Sequence, residues 1–119
     1  MLKLIFSTFC LLLSVTALAP LASAEDRTIH MTAVEINGTK FWLPSTIVVK
    51  KGDKVKINAV SKVPGANSVH GFKIAGFNVE IVADTKGKDQ EFVADKAGVF
   101  PFTCHMHAAH VGGQLVVLD

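Results

Sequence analysis

The chain has 119 residues and carries 12 Lys and Arg against 10 Asp and Glu, a formal net charge of +2. So even a balance gives no basic footprint for nucleic acid, and the length allows one domain with a single core. Mean hydropathy is +0.41, but the apolar excess is concentrated at the amino-terminal end and is not the character of the rest.

The opening stretch, MLKLIFSTFCLLLSVTALAPLASA, has the build of an export signal. Lys3 supplies the charged start, Leu4 to Leu18 the apolar stretch and Ala22-Ser23-Ala24 the small-residue cleavage pattern. A membrane span wants roughly 20 apolar residues in a row, and this run is interrupted by Ser7, Thr8, Ser14, Thr16 and Pro20. Cys10 lies inside the apolar run and not at its end, which argues against a lipid-anchored form. Cleavage after Ala24 removes 24 of the 119 residues and leaves a domain of 95, Glu25 to Asp119, expected in the periplasm with no membrane span. Lys3 is the only charge lost, so the mature balance is eleven against ten. Cys10 goes with the leader, and Cys104 is left without a partner for an internal disulfide. One thiol in an exported chain implies pairing with another chain or chemistry at the sulfur.

Past the leader, nearly every apolar segment is short, rich in β-formers and bounded by turn residues, the pattern of an antiparallel sandwich or barrel. Thr28 to Ile36 and Thr39 to Leu43 flank Asn37-Gly38, a pair suited to a tight hairpin because both central positions need positive φ. Ile47-Val48-Val49 follows, then the turn Lys50-Lys51-Gly52-Asp53. After it Val55, Ile57 and Ala59 alternate with Lys54, Lys56 and Asn58, a strand with one wet face. The loop Ser61 to Ser68 leads into Val69 to Ile74, where His70 shares parity with Phe72 and Ile74 and so opens a strand level with core residues. Phe77 to Val82 and Gln90 to Ala94 are two more extended pieces. The turn Asp95-Lys96-Ala97-Gly98 precedes Val99 to Cys104, in which Phe100, Phe102 and Cys104 have one parity, opposite Val99 and Thr103. Gln114 to Leu118 closes the chain as a final strand. No helical period is convincing over about 11 residues or more, so the expected fold is all-β, with seven or eight strands and at most one short helix.

The stretch TCHMHAAHVGGQL puts one cysteine and three of the five histidines between Cys104 and His110. The strand opened by His70 and the strand ended by Cys104 converge on the same interior, and a short loop holding His107 and His110 follows. One thiolate with several imidazoles and no carboxylate is a donor set for copper or zinc, and a poor one for magnesium or calcium. Copper is favoured, because a His2Cys set with a weak or absent fourth ligand serves both of its oxidation states, whereas structural zinc more often brings two or more cysteines. His30 is expected on the surface. His105 points away from Cys104 if the strand continues, so it is expected to face solvent. Cysteine nucleophile chemistry would need an orienting group and an oxyanion arrangement, and neither has a sequence signal.

With these residues in hand, the chain resembles the cupredoxins, small copper proteins of Greek-key β-sandwich fold. The likeness runs from PSTIVVKKGDKVKI through HGFKI and DKAGVFPFTCHMH to GGQLVVLD, nearly the whole mature chain. It implies that His70 is the early ligand, Cys104 the thiolate and His107 the second histidine. No Met follows His107, and the places where an axial Met would fall are Val111, Gly112 and Gly113. The fourth position therefore goes to His110 or stays open, with Gln114 the weaker candidate. VVKKGD, ADKAG and a second histidine before the last strand are nearest to the red-copper nitrosocyanin branch, which favours His110. That branch has a glutamate where this chain has His70, so its colour and catalytic role do not transfer. HGF is also similar to binuclear copper domains, which need two cysteines four residues apart. Ala108 stands at the second of those positions and excludes such a centre.

The resemblance implies one copper ion per chain and single-electron transfer with a redox protein partner, not enzymatic catalysis. The alternatives are a periplasmic copper chaperone or buffer that passes the ion to a copper-exchange partner, and a small redox enzyme with an open copper position.

Overall fold

A computed structural model describes residues 17–19, 23–65 and 68–119 of the chain. The charged start, Cys10 and most of the apolar run of the expected leader lie outside the described residues, as do 66 and 67 in the loop before His70. No helix among the described residues is long and apolar enough to cross a membrane.

Alternation of apolar and polar side chains builds nine strands among the described residues. They are β1 (Asp26–Ile36), β2 (Thr39–Leu43), β3 (Thr46–Lys50), β4 (Lys54–Ser61), β5 (His70–Ile74), β6 (Val79–Ala83), β7 (Lys88–Val93), β8 (Gly98–Thr103) and β9 (Gly113–Leu118). β1 and β2 form the expected hairpin, with Asn37 at φ 50 and Gly38 at φ 78 in its turn. The extended pieces expected around Phe77 and Gln90 are full strands, β6 and β7. β6 begins only at Val79 because Gly76 at φ 91 and Asn78 at φ 53 turn the backbone first.

The strands make two sheets, β2-β1-β4-β7 and β3-β9-β8-β5-β6. Not all pairings are antiparallel: β1 runs parallel to β4, and β3 runs parallel to β9. The reason is that β3 lies in the other sheet from β2 and β4, so short connections cross between layers and chain neighbours do not pair there. Inward residues of both sheets form one core, with Met31, Trp42 and Ile57 from the first and Phe72, Phe102 and Leu115 from the second fully or almost fully buried.

The β3–β4 crossing is held by charge. Asp53 has no exposed surface and accepts the N–H of Lys50 at 2.9 Å, the N–H of Glu25 at 2.9 Å and the Arg27 Nε–H at 2.8 Å. The loop that delivers His70 is held by buried hydroxyls, Ser61 Oγ and Ser68 Oγ meeting at 2.8 Å while Ser68 also bonds the Val63 carbonyl.

Phe102 carries the core beneath the site. Its ring packs 5.0 Å from that of Phe72, and a Cβ on Gly113 would overlap it. Phe102→Ala should cost about 3–5 kcal/mol in urea unfolding, as a buried aromatic deletion does. Val99→Ala, on the exposed face of the same strand, should stay within about 0.5 kcal/mol.

Candidate metal centre

The sheet brings His70 and Cys104 together without help from the loop. β5 and β8 are paired neighbours, Lys73 opposite Thr103 and Ile74 opposite Phe102, so the start of one strand meets the residue just past the end of the other. The chain then turns, with the His110 N–H bonding the His107 carbonyl at 3.1 Å, and the turn brings His107 back over Cys104. One nitrogen from each of His70 and His107 and the Cys104 sulfur lie within 4.8 Å of one another, and Cys104 Sγ is 3.6 Å from His107 Nδ1. His70 and Cys104 are buried, whereas His107 is exposed.

His110 stands just outside this trio. It is 7 % exposed, and its ring centroid lies 5.1 Å from that of His70 and 5.9 Å from that of Trp42. His110 Nδ1 faces the Val111 carbonyl at 3.4 Å. A carbonyl only accepts, so the proton of the neutral ring sits on Nδ1 and Nε2 keeps its lone pair. That Nε2 is buried with no hydrogen-bond partner, and so is Nδ1 of His70. Two orphaned imidazole nitrogens beside a thiol fit a soft or borderline metal ion, since a buried polar atom without a partner is otherwise costly. His70, His107 and His110 also border a cleft of about 330 Å³ whose outer wall includes Lys40 and Pro64.

Three residues of the neighbourhood have no obvious donor role and still shape it. The Gly71 N–H donates to Cys104 Sγ at 3.3 Å, and the Trp42 Nε1–H donates to the Gly71 carbonyl at 2.9 Å. His105 is outside the trio, as expected, but it does not simply face solvent. Its ring covers Gly71 so closely that a Cβ there would fall 2.5 Å from Nδ1, and its Nε2 lies 3.5 Å from Glu80 Oε1. Sequence reasoning passed over Trp42 and Gly71. The signal for Gly71 was a glycine inside a strand, which often marks close backbone approach. For Trp42 it was a lone indole that must find an acceptor once buried. His30 is exposed and meets Asn58 Oδ1 at 3.2 Å, and Gln114 is exposed beside Thr46 Oγ1 at 3.4 Å, away from the donors.

A family model described as a cupredoxin-like domain matches residues 3–117. No curated protein is significantly similar to the chain in sequence. Among solved structures, a copper binding protein in its apo form is 24% identical with a TM-score of 0.58, over 77% of this chain and 87% of that one. A heme-copper terminal oxidase is 22% identical with a TM-score of 0.58, over 76% of this chain and 64% of that one. A Cu-containing nitrite reductase from Thermus scotoductus SA-01 is 19% identical with a TM-score of 0.57, over 81% of this chain and 28% of that one. The chain thus spans less than two thirds of either enzyme chain, and at these identities the likeness is one of fold.

Burial holds the His70 imidazole below its ordinary pKa, with His110 and His107 adding to the effect. Burial does the same to His110, against the opposing contact with the Val111 carbonyl. Both groups take up protons more readily in the unfolded chain. The stability they contribute is therefore complete above the unfolded value of about 6.5 and is lost as pH falls toward their depressed folded values. The denaturation midpoint of the metal-free protein should fall between pH 7 and pH 5, and the joint substitution His70→Gln and His110→Gln should flatten that profile. An unchanged slope in the double variant would assign the pH dependence elsewhere.

Proposed function

Because the chain belongs to the cupredoxin-like family, we propose that it is an exported mononuclear copper protein that carries single electrons between redox partners. The leader, residues 1–24, is removed after Ala24, and the domain formed by residues 25–119 works in the periplasm. His70, Cys104 and His107 hold the ion, and His110 is the fourth, weaker donor. What carries this reading is a thiol and two imidazoles within 4.8 Å of one another, beside a buried His110 nitrogen with no other partner.

Copper bound there supplies a one-electron couple, since thiolate favours the reduced ion and imidazole tolerates either state. The remaining contributions are the protein's. Paired strands hold His70 and Cys104 in one place whichever state is present, so little rearrangement accompanies electron transfer. The Gly71 N–H draws electron density from the sulfur, and the buried rings of Phe72 and Phe102 keep the interior dry, two means of setting a potential. His107 is the exposed donor, and Met106 and Val111, 45% and 50% exposed, lie in the same loop. An apolar rim of that size suits the small, short-lived interface of a carrier. His110 is not among the donors that lie within 4.8 Å of one another, which supports a weaker fourth donor, and a weak fourth donor suits a carrier more than a buffer.

Copper-loaded protein should show an intense thiolate-to-copper absorption band and reversible voltammetry. Cys104→Ser should abolish the band. His110→Ala should shift it and weaken copper(II) binding by at least the roughly 10–100-fold seen when an outer-shell partner is lost; an unchanged spectrum would remove His110 from the site. Loss of the metal on each reduction would sink the carrier reading in favour of copper exchange.

A further inference from the structure

Asp53, in the turn between β3 and β4, is the only carboxylate buried among the described residues, and it takes no part in the metal centre. Its surroundings are one positive charge short. Arg27 is shared between two carboxylates, its Nε 2.8 Å from Asp53 Oδ2 and its Nη2 2.7 Å from Glu25 Oε2. Three nearby lysines are engaged elsewhere, Lys54 with Glu91 at 3.5 Å, Lys56 with Asp89 at 3.2 Å and Lys51 with Asp119 at 4.0 Å, and Lys50 meets Asp53 through its backbone N–H. The other oxygen of Asp53, Oδ1, accepts the backbone N–H of Glu25 at 2.9 Å.

That nitrogen belongs to the peptide bond that export processing would cut. Hydrolysis of Ala24–Glu25 breaks the C–N bond and consumes one water. Its oxygen leaves on the Ala24 carboxylate, and the Glu25 nitrogen becomes a primary amine that binds a proton at neutral pH. We propose that Asp53 is a preformed receptor for the α-ammonium group created at Glu25, so that the processed chain closes an ion pair which the uncleaved chain lacks. The proposal rests on the export reading above.

The receptor is positioned from every side. The Lys54 N–H bonds the Glu25 carbonyl at 2.9 Å, and β1 starts at the next residue, so the Glu25 nitrogen cannot drift from Asp53. Ser23 to Glu25 are exposed, so the bond to be cut lies open to a processing enzyme. The N–H groups of Lys50 and Glu25 already hold the Asp53 carboxyl below its ordinary pKa, against burial and with help from Arg27, so it is ionised and waiting before any amine arrives. The uncleaved chain offers Asp53 a peptide dipole at this point, and the processed chain offers a full charge with three donors.

The test compares three chains: one starting at Glu25 with a free amine, the same chain Nα-acetylated, and one retaining Ala24. All nine strands lie between Asp26 and Leu118, so each chain holds the whole described fold. At pH 6.5 the free-amine chain should unfold roughly 5 °C higher than either of the others, the scale of one good interaction in a domain of this size. A partner carboxylate raises the folded pKa of the amine above the unfolded value of about 8. The advantage should therefore be full below that value and vanish as pH rises through the folded one. The charged groups facing the amine are Asp53, Arg27 and the Glu25 carboxylate; Asp53 is held below its ordinary pKa and Arg27 above its own, so neither of these two confounds the window near pH 8.

Asp53→Asn should erase the difference between the three chains. If that variant does not fold, the acetylated and Ala24-retaining chains decide alone. Identical midpoints at every pH would overturn the receptor. The mass of the exported protein separates the two ideas: an amino terminus other than Glu25 overturns the link to maturation, whatever the three chains show about Asp53.

Discussion

The backbone of Gly71 ties the candidate metal centre to both sheets. Its N–H donates to the Cys104 sulfur within one sheet, and its carbonyl accepts the indole N–H of Trp42 from the other. Leaving such a carbonyl buried without a donor would cost about 1–3 kcal/mol, so Trp42 is anchored as firmly as it anchors. The same indole meets Phe72 edge-on at 5.3 Å between centroids and lies against His110 at 5.9 Å. One side chain thereby packs against both the strand that carries His70 and the buried ring of His110. Glycine leaves room here for the ring of His105, which would have to move aside for any Cβ at this position.

That arrangement explains why the donors are unequal. His70 and Cys104 come from paired strands and are buried, so their places follow from the sheet. His107 and His110 come from the loop, and a loop is ordered only where something holds it. Here the Val111 N–H bonds the Lys40 carbonyl at 2.8 Å, and Phe41 and Val111 form an isolated bridge, which fastens the loop to β2. At its far end Gly113 starts β9 with no room for a side chain against Phe102. The loop is thus pinned where it enters β9, without a disulfide, which accords with Cys104 being free.

Much of this was legible in the sequence because period-2 alternation and turn chemistry act locally. Asn37-Gly38 defined its hairpin to the residue, and the shared parity of His70, Phe72 and Ile74 placed a histidine in the core layer. Strand parity and a short loop gathered His70, Cys104, His107 and His110 at one end of the fold, and it was the resemblance to the cupredoxins that singled out His70, Cys104 and His107. Parallel pairing of β1 with β4 and β3 with β9 was not legible, since it depends on which layer each crossing reaches, and no local residue encodes that. The tasks of Trp42, Gly71 and His105 were hidden for a related reason. Each acts across more than 28 residues of chain or on a strand from the other side of the site, where parity says which way a residue points but not what it meets.

His110 is where local and tertiary information have to be combined. The carbonyl of its neighbour in sequence, Val111, accepts from the Nδ1–H and so leaves the lone pair on Nε2. Its neighbours in space, Trp42 and His70, enclose the ring and leave that nitrogen unpartnered. Burial alone would favour an apolar residue here, and a hydrogen-bonding role alone would have produced a partner. A ring kept buried and neutral, with its lone pair unspent beside the trio, is what the proposed fourth donor would need before an ion arrives. The cleft beside it is bordered by His70, His107 and His110 together, so an ion entering there would meet three imidazoles without parting the strands that hold His70 and Cys104.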